Sequence, residues 1–285
     1  MPKNNKPLEK YYRQPSVYIS LPTKGKYYTS DVFTQSETGE IPILPMTAKD
    51  ELAFKTPDAM INGQATVDVI KSCVPNFLDP WKMTNYDTDA ILLAIRIATY
   101  GETMDITYQI PVINETQAHT INLPALLENL RNIDIVDEAT TKKGFKIKIA
   151  PLDYKTLTKI QTAQFEQQKI YATVTASNLT EQAKSKQFVD SFNKLNNINF
   201  SLLIESIKEL TTPGGDKVTD VNQIKEFCNN CETAIINEIQ EKLSEIRLQA
   251  QIKPVTIKAT EEQVQKGVPE TYNVPVTFDN SNFFG

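Results

Sequence analysis

Asp87-Thr88-Asp89-Ala90-Ile91-Leu92-Leu93-Ala94-Ile95-Arg96 runs on to Tyr100-Gly101, and Asp105-Ile106-Thr107-Tyr108-Gln109-Ile110-Pro111-Val112 follows at once. The first run places Ile91, Leu92, Ile95 and Ala98 or Thr99 at the i, i+3/i+4 spacing of one buried helical face. Asn85 or Asp87 caps its start, and Gly101 ends it, because glycine takes the left-handed step beyond a C-cap at little cost. The second run changes period from 3.6 to 2 and reads as a strand. A helix handing over directly to an alternating strand sets the class as α+β, and the rest of the chain is read outward from this junction.

Toward the N-terminus, residues 26–46 read as a hairpin or two short strands, the first from Tyr27, Tyr28, Val32 and Phe33 and the second from Glu40-Ile41-Pro42-Ile43-Leu44, on either side of the Ser36-Glu37-Thr38-Gly39 turn. Pro42 has no N–H, which places that strand at an edge. Thr47 stands as an N-cap with Asp50 or Glu51 in the first turn, so a short helix starts there and stops before Pro57. Pro57 suits the first position of a next helix, Asp58 to Val74, in which Gly63 is a weak point. Residues 1–20 read as an extended arm. Pro2, Pro7 and Pro15 break helix, while Tyr11, Tyr12, Val17, Tyr18 and Ile19 offer apolar anchors.

Toward the C-terminus, a strand near Ala118–Leu123 and a short helix over Pro124–Leu130 are expected. Phe145-Lys146-Ile147-Lys148-Ile149-Ala150 alternates apolar and basic residues, the pattern of a half-buried edge strand. A helical half follows over 151–251, with helices at Tyr154 to about Ala176, Thr180 to Leu195 and Phe200–Leu210. A fourth, capped by Thr219 or Asp220, covers Gln223–Gln251, with room for breaks along it. In that last helix Phe227, Ile235, Ile239, Leu243 and Ile246 keep helical spacing and form an apolar stripe. Residues 252–285 revert to a polar, proline-punctuated tail that ends on Phe278, Phe283 and Phe284. The organisation expected is therefore an arm (1–20), a small mixed strand and helix domain (21–150), a mainly helical region (151–251) and a second extended arm (252–285).

Composition narrows the function. The 285 residues carry a net charge of -5, which disfavours a broad nucleic-acid surface. Mean hydropathy is -0.35, and no apolar run approaches the ~18 residues of a membrane span. The N-terminus has no apolar core of a secretory signal, so synthesis in the cytoplasm is expected. Three cysteines suit a reducing compartment, and a single histidine leaves little for triad or metal chemistry. Cys228-Asn229-Asn230-Cys231 is a CxxC, but zinc needs four ligands and only Cys73 and His119 remain, so buried thiols are favoured over zinc or redox chemistry. Asp87/Asp89 and Asp50/Glu51 sit at helix starts, where negative charge favours the dipole, and read as caps rather than acid–base pairs. Pro22-Thr23-Lys24-Gly25-Lys26 lacks P-loop spacing and reads as a turn. No catalytic, cofactor or metal site is expected.

One ordered series carries a family likeness. Leu21, Pro22, Gly25 and Tyr28 open it. Met46, Thr47, Asp50 and Glu51 follow, then Pro57, then Asp87 and Asp89, then Tyr100 and Gly101. Read together over about residues 21–101, they resemble the baseplate hub proteins of T-even-type contractile-tailed bacteriophages. Some relatives carry a cysteine-pair knuckle after the helix. This chain has Tyr108-Gln109-Ile110-Pro111 there, so metal binding does not carry over. The resemblance implies a structural, non-enzymatic subunit of the virion tail baseplate, whose partners are other hub and tail proteins or copies of itself in a symmetric ring. A non-virion assembly factor is the alternative it allows. Interface residues expected on this reading are Tyr11, Tyr12 and Tyr18 in the arm, Phe227, Ile235, Ile239 and Leu243 in the helical half, and Phe278, Phe283 and Phe284 in the tail.

Overall fold

The structure is a computed structural model that describes residues 7–54, 63–176, 180–249 and 252–276. Its strands β1 (Val17–Ile19) and β2 (Ile41–Ile43) and helices α1 (Ala48–Phe54), α2 (Gln64–Cys73) and α3 (Asn85–Tyr100) build the first core. α3 is its axis. Ala90, Ile91, Leu93, Ala94 and Ile95 are fully buried, wider than the single face read from the sequence, because β1, α2 and α4 (Leu123–Arg131) surround the helix. Thr84 is the N-cap residue, and Gly101, at φ 96°, closes the helix as expected. α1 begins as read, with the Thr47 hydroxyl accepting from the Asp50 N–H at 3.3 Å. Gly63 lies immediately before α2 rather than inside a longer helix, and the expected start at Pro57 and Asp58 lies outside the described residues.

The expected hairpin between Tyr27–Phe33 and Glu40–Leu44 does not form. β2 pairs instead with β1, in the register Val17↔Ile43 and Ile19↔Ile41, so the end of the expected arm is a core strand and Ile19 is fully buried. Residues 21–33 coil through successive turns because Lys24 and Gly25 take φ of 53° and 76°, which no strand permits. The coil delivers Tyr28 and Phe33 onto Phe77, with ring centroids 5.3 and 4.8 Å away.

β3 (Thr103–Gln109) and β4 (Thr116–Asn122) form the antiparallel hairpin read from the alternating pattern. Residues 252–276, expected as an extended tail, fold back onto it. β9 (Val255–Lys258) and β10 (Thr271–Val274) pair antiparallel around the short helix α9 (Glu261–Gln265), capped by Thr260 and Gln263. Ile257, Val268, Tyr272 and Val274 bury against Ile110 and Ile106 as a small third core. The short, proline-punctuated strands carried too little alternation to show this.

The second core joins a four-stranded antiparallel sheet to helices. Its order is β5 (Glu138–Thr140), β6 (Lys146–Ile149), β7 (Ile207–Thr211), β8 (Lys217–Val218). β6 is therefore central and not the edge strand expected from its lysines. Lys146 and Lys148 stay on the exposed face while Ile147 and Ile149 are buried. The helix expected over Phe200–Leu210 is also revised. α6 (Glu181–Ser206) is continuous through the expected gap at 196–199 and stops at Ser206, after which Ile207 turns extended to pair with Ile149. Non-local pairing overrides local helical spacing there. α5 (Tyr154–Ala176) is antiparallel to α6. The last long helix is two, α7 (Val221–Asn230) and α8 (Thr233–Gln249), divided where Cys231 adopts an extended backbone.

The stripe on α7 and α8 faces this core. Ile239 is fully buried, Ile235, Leu243 and Ile246 nearly so, and Phe227 packs at 5.1 Å on Phe145. An unpaired carboxylate at residue 239 would be desolvated, so Ile239→Asp should cost more than about 3 kcal/mol and unfold this body. Exposed Glu241→Ala should change stability by less than about 0.5 kcal/mol. Denaturant melts of both variants check this.

Candidate interaction surfaces

Two polar clusters fix the N-terminal body. The first centres on Asp87, a fully buried carboxylate. The Thr23 N–H donates to its Oδ1 at 3.0 Å, and the hydroxyls of Thr23, Tyr28 and Thr84 donate to its Oδ2. Burial raises the carboxyl's pKa above the usual range, against the opposing pull of these donors. The sequence reads Asp87 as a dipole cap; it does stand in the first turn of α3, and it is also the acceptor that ties the Leu21–Tyr28 coil to that helix.

The second cluster anchors the arm. The Arg13 guanidinium donates to the Pro45 carbonyl at 2.6 Å, to Asp50 Oδ2 at 3.2 Å and to the Ser72 carbonyl at 2.8 Å. Asp50 also accepts from Thr47 and Ser72. Residues 13–19 thus lie on the body, and Tyr11, Tyr12 and Tyr18 stand outward at 73%, 59% and 57% exposure. Sequence reading missed Arg13 because a lone arginine among lysines gives no sign of which oxygens it will meet.

Asp89, two residues from Asp87, has a different role. It lines a cavity of about 280 Å³ with Asn85, Tyr154, Ser206 and Leu243, where the first and second cores meet. Asn85 Oδ1 is buried there with no hydrogen-bond partner among the described residues. Burial pushes the Asp89 carboxyl up to about 6. The cysteines do not converge with Asp89 or with each other as a ligand set. Cys73 is buried beside Arg13, Cys228 is buried in the second core, and among the described residues no group of His, Cys, Asp and Glu is arranged to hold a metal. His119 lies on β4 paired with Ile106 of β3 and is half-buried.

The α5–α6 hairpin is a surface of a different kind. Between Lys159 and Ser201 its only buried residues among those described are Gln167, Val174 and Ser191. The Ser191 hydroxyl donates to Gln167 Oε1 at 2.6 Å, so the centre of the seam is polar. On one side of that contact lie Tyr171, Phe188, Val189, Phe192 and Leu195. On the other lie Ile170 and Val174 within a rim of charged residues. Phe165, Tyr171 and Phe192 are 52%, 61% and 64% exposed. Helices in water draw most of their stability from packing an apolar face, and this pair leaves most of that face open. Of the expected interface residues, Ile235, Ile239, Leu243 and Phe227 lie in or against the chain's own core, and Phe278, Phe283 and Phe284 lie outside the described residues.

A coil tied to a buried aspartate, a capped α1 and an α3 closed by Gly101 are the parts of the sequence that suggested a family. A sequence model described as T4 bacteriophage base plate protein matches residues 17–271. The chain belongs to this family. The match begins at β1 and ends at the first residue of β10, so it covers the second core, nearly all of the first and most of the third core of the base plate protein. Neither curated proteins nor solved structures gave a match. Other baseplate proteins of the phage are therefore its partners, and among the described residues no helix is long and apolar enough to cross a membrane.

Two expected outcomes follow from the clusters. Arg13→Ala should cost about 2–3 kcal/mol, read by chemical denaturation, because it strips Asp50 and two carbonyls of a charged donor. Between its ordinary 3.8 and about 6, folded Asp89 keeps a proton that the unfolded chain has released. Stability contributed by this group therefore falls as pH rises through that window. Asp89→Asn should stabilise the protein at about pH 7, by up to about 3 kcal/mol, and the gain should vanish near about pH 4. Thermal melts at the two pH values read the difference.

Proposed function

We propose that this base plate protein is a non-enzymatic structural subunit of the baseplate hub that stays in the virion. It joins neighbouring hub and tail proteins through the α5–α6 hairpin and the outward tyrosines Tyr11, Tyr12 and Tyr18. The observation that carries this reading is the hairpin. Two helices of 23 and 26 residues meet along a thin, partly polar seam, and their aromatic side chains remain open to solvent. Exposed apolar surface of this kind marks a protein–protein contact, and aromatic residues are enriched at such contacts. The buried carboxylate supports the structural role. Asp87 is saturated by donors from its own chain and so is committed to holding the coil on α3. The C-terminal Phe278, Phe283 and Phe284 are proposed as further contacts. The stripe of Phe227, Ile235, Ile239 and Leu243 holds the second core that carries the hairpin. The subunit is made in the host cytoplasm before assembly.

Mass spectrometry of purified particles tests this reading. A structural subunit should be recovered at a fixed ratio to other baseplate proteins. Its absence from finished particles, with assembly still dependent on it, would replace the subunit with an assembly factor that leaves. Removing residues 1–12, which spares Arg13 and β1, should leave the melting transition within about 0.5 kcal/mol of the parent's and lower incorporation. A truncation that assembles normally would remove the tyrosines from the interface.

A further inference from the structure

We propose that the charged side of the α5–α6 hairpin is a self-association surface, on which a second copy of this chain packs by a two-fold axis to complete a four-helix bundle. The groove on this side has a volume of about 630 Å³. Ile170 and Val174 form its floor, and Glu166, Lys169, Asp190 and Lys194 form its rim. None of these four charged side chains has an ion-pair partner among the described residues, whereas Lys184 of α6 pairs with Glu181. The rim is therefore a set of uncommitted charges around an apolar floor.

Its composition identifies the occupant. Two carboxylates and two ammonium groups cancel, so the rim has no preference for a uniformly acidic or basic partner. It does match itself. A two-fold contact is isologous: residue i of one copy meets residue j of the other, and j meets i. A surface that contributes both signs in equal number from each of its helices satisfies that condition. Glu166 and Lys169 lie on α5, and Asp190 and Lys194 lie on α6. Packing one hairpin across another is also the usual way in which two-helix units close a core, with axes about 8–10 Å apart. Ile170 and Val174 would then become bundle positions. The side that carries Tyr171 and Phe192 stays free for the hub neighbour, so self-association and incorporation use different faces.

The test uses the purified full-length protein and sedimentation velocity. The parent should sediment as a dimer. Lys169→Glu with Lys194→Glu makes the rim wholly acidic, and Glu166→Lys with Asp190→Lys makes it wholly basic. All four residues are exposed, so circular dichroism should be unchanged. Each double variant alone should dissociate, with its dissociation constant raised at least about tenfold, since like charges then face each other. An equimolar mixture of the two should restore the dimer, because the acidic rim now meets the basic one. A monomeric parent, a double variant that dimerises like the parent, or a mixture that stays monomeric would each overturn the proposal. All of these leave membership of the base plate family and the hub reading untouched, since the first rests on the sequence match and the second is read on particles.

Discussion

The N-terminal body depends on one buried carboxylate. Asp87 has lost its water, and only the donors from Thr23, Tyr28 and Thr84 make its burial tolerable. The dependence runs both ways. The coil at Leu21–Tyr28 has turn hydrogen bonds of its own but no helix or strand ladder, and the bonds to Asp87 tie it to α3 against its conformational entropy. With the coil held, Tyr28 and Phe33 reach Phe77, and α2 is fixed to α3. Arg13 extends the same principle to the surface by binding two carbonyls and Asp50 at once.

This explains what could be read from the sequence. α3, the β3–β4 hairpin, α4 and the start of α1 follow from periodicity and caps, which are local signals. The pairing of β1 with β2 does not, because Ile19, Ile41 and Ile43 are matched by burial across a gap of about 20 residues and no turn sets their register. β7 was masked for the same reason: Ile207 and Leu210 fit a helix as well as a strand until β6 is present to pair with them. Asp87 was visible as an aspartate at a helix start. Its function as an acceptor required Tyr28 to arrive from 59 residues away.

The interface residues divide along the same line. Tyr11, Tyr12 and Tyr18 were legible because aromatic side chains on a proline-broken segment have no core of their own. The stripe of Phe227, Ile235, Ile239 and Leu243 was legible as a stripe, but periodicity cannot say whether an apolar face meets its own chain or another. The hairpin gave no such signal. Its seam residues, Gln167 and Ser191, are polar, and its outward Phe165, Tyr171 and Phe192 fall at positions that a helical wheel assigns to no single face. Only the three-dimensional count of what remains uncovered identifies it.

Gly63 sets the direction in which that hairpin points. It precedes α2 at φ 75°, and a Cβ there would lie 2.8 Å from Thr158 Oγ1 and 3.2 Å from the Tyr154 ring, at the root of α5. The 23-residue α5 is a rod of about 35 Å. Any tilt at its root is multiplied along that length, so a wedge one methyl group wide becomes a displacement of several ångströms at the far docking faces. The missing side chain at residue 63 therefore acts as an alignment tolerance for an assembly far larger than the chain.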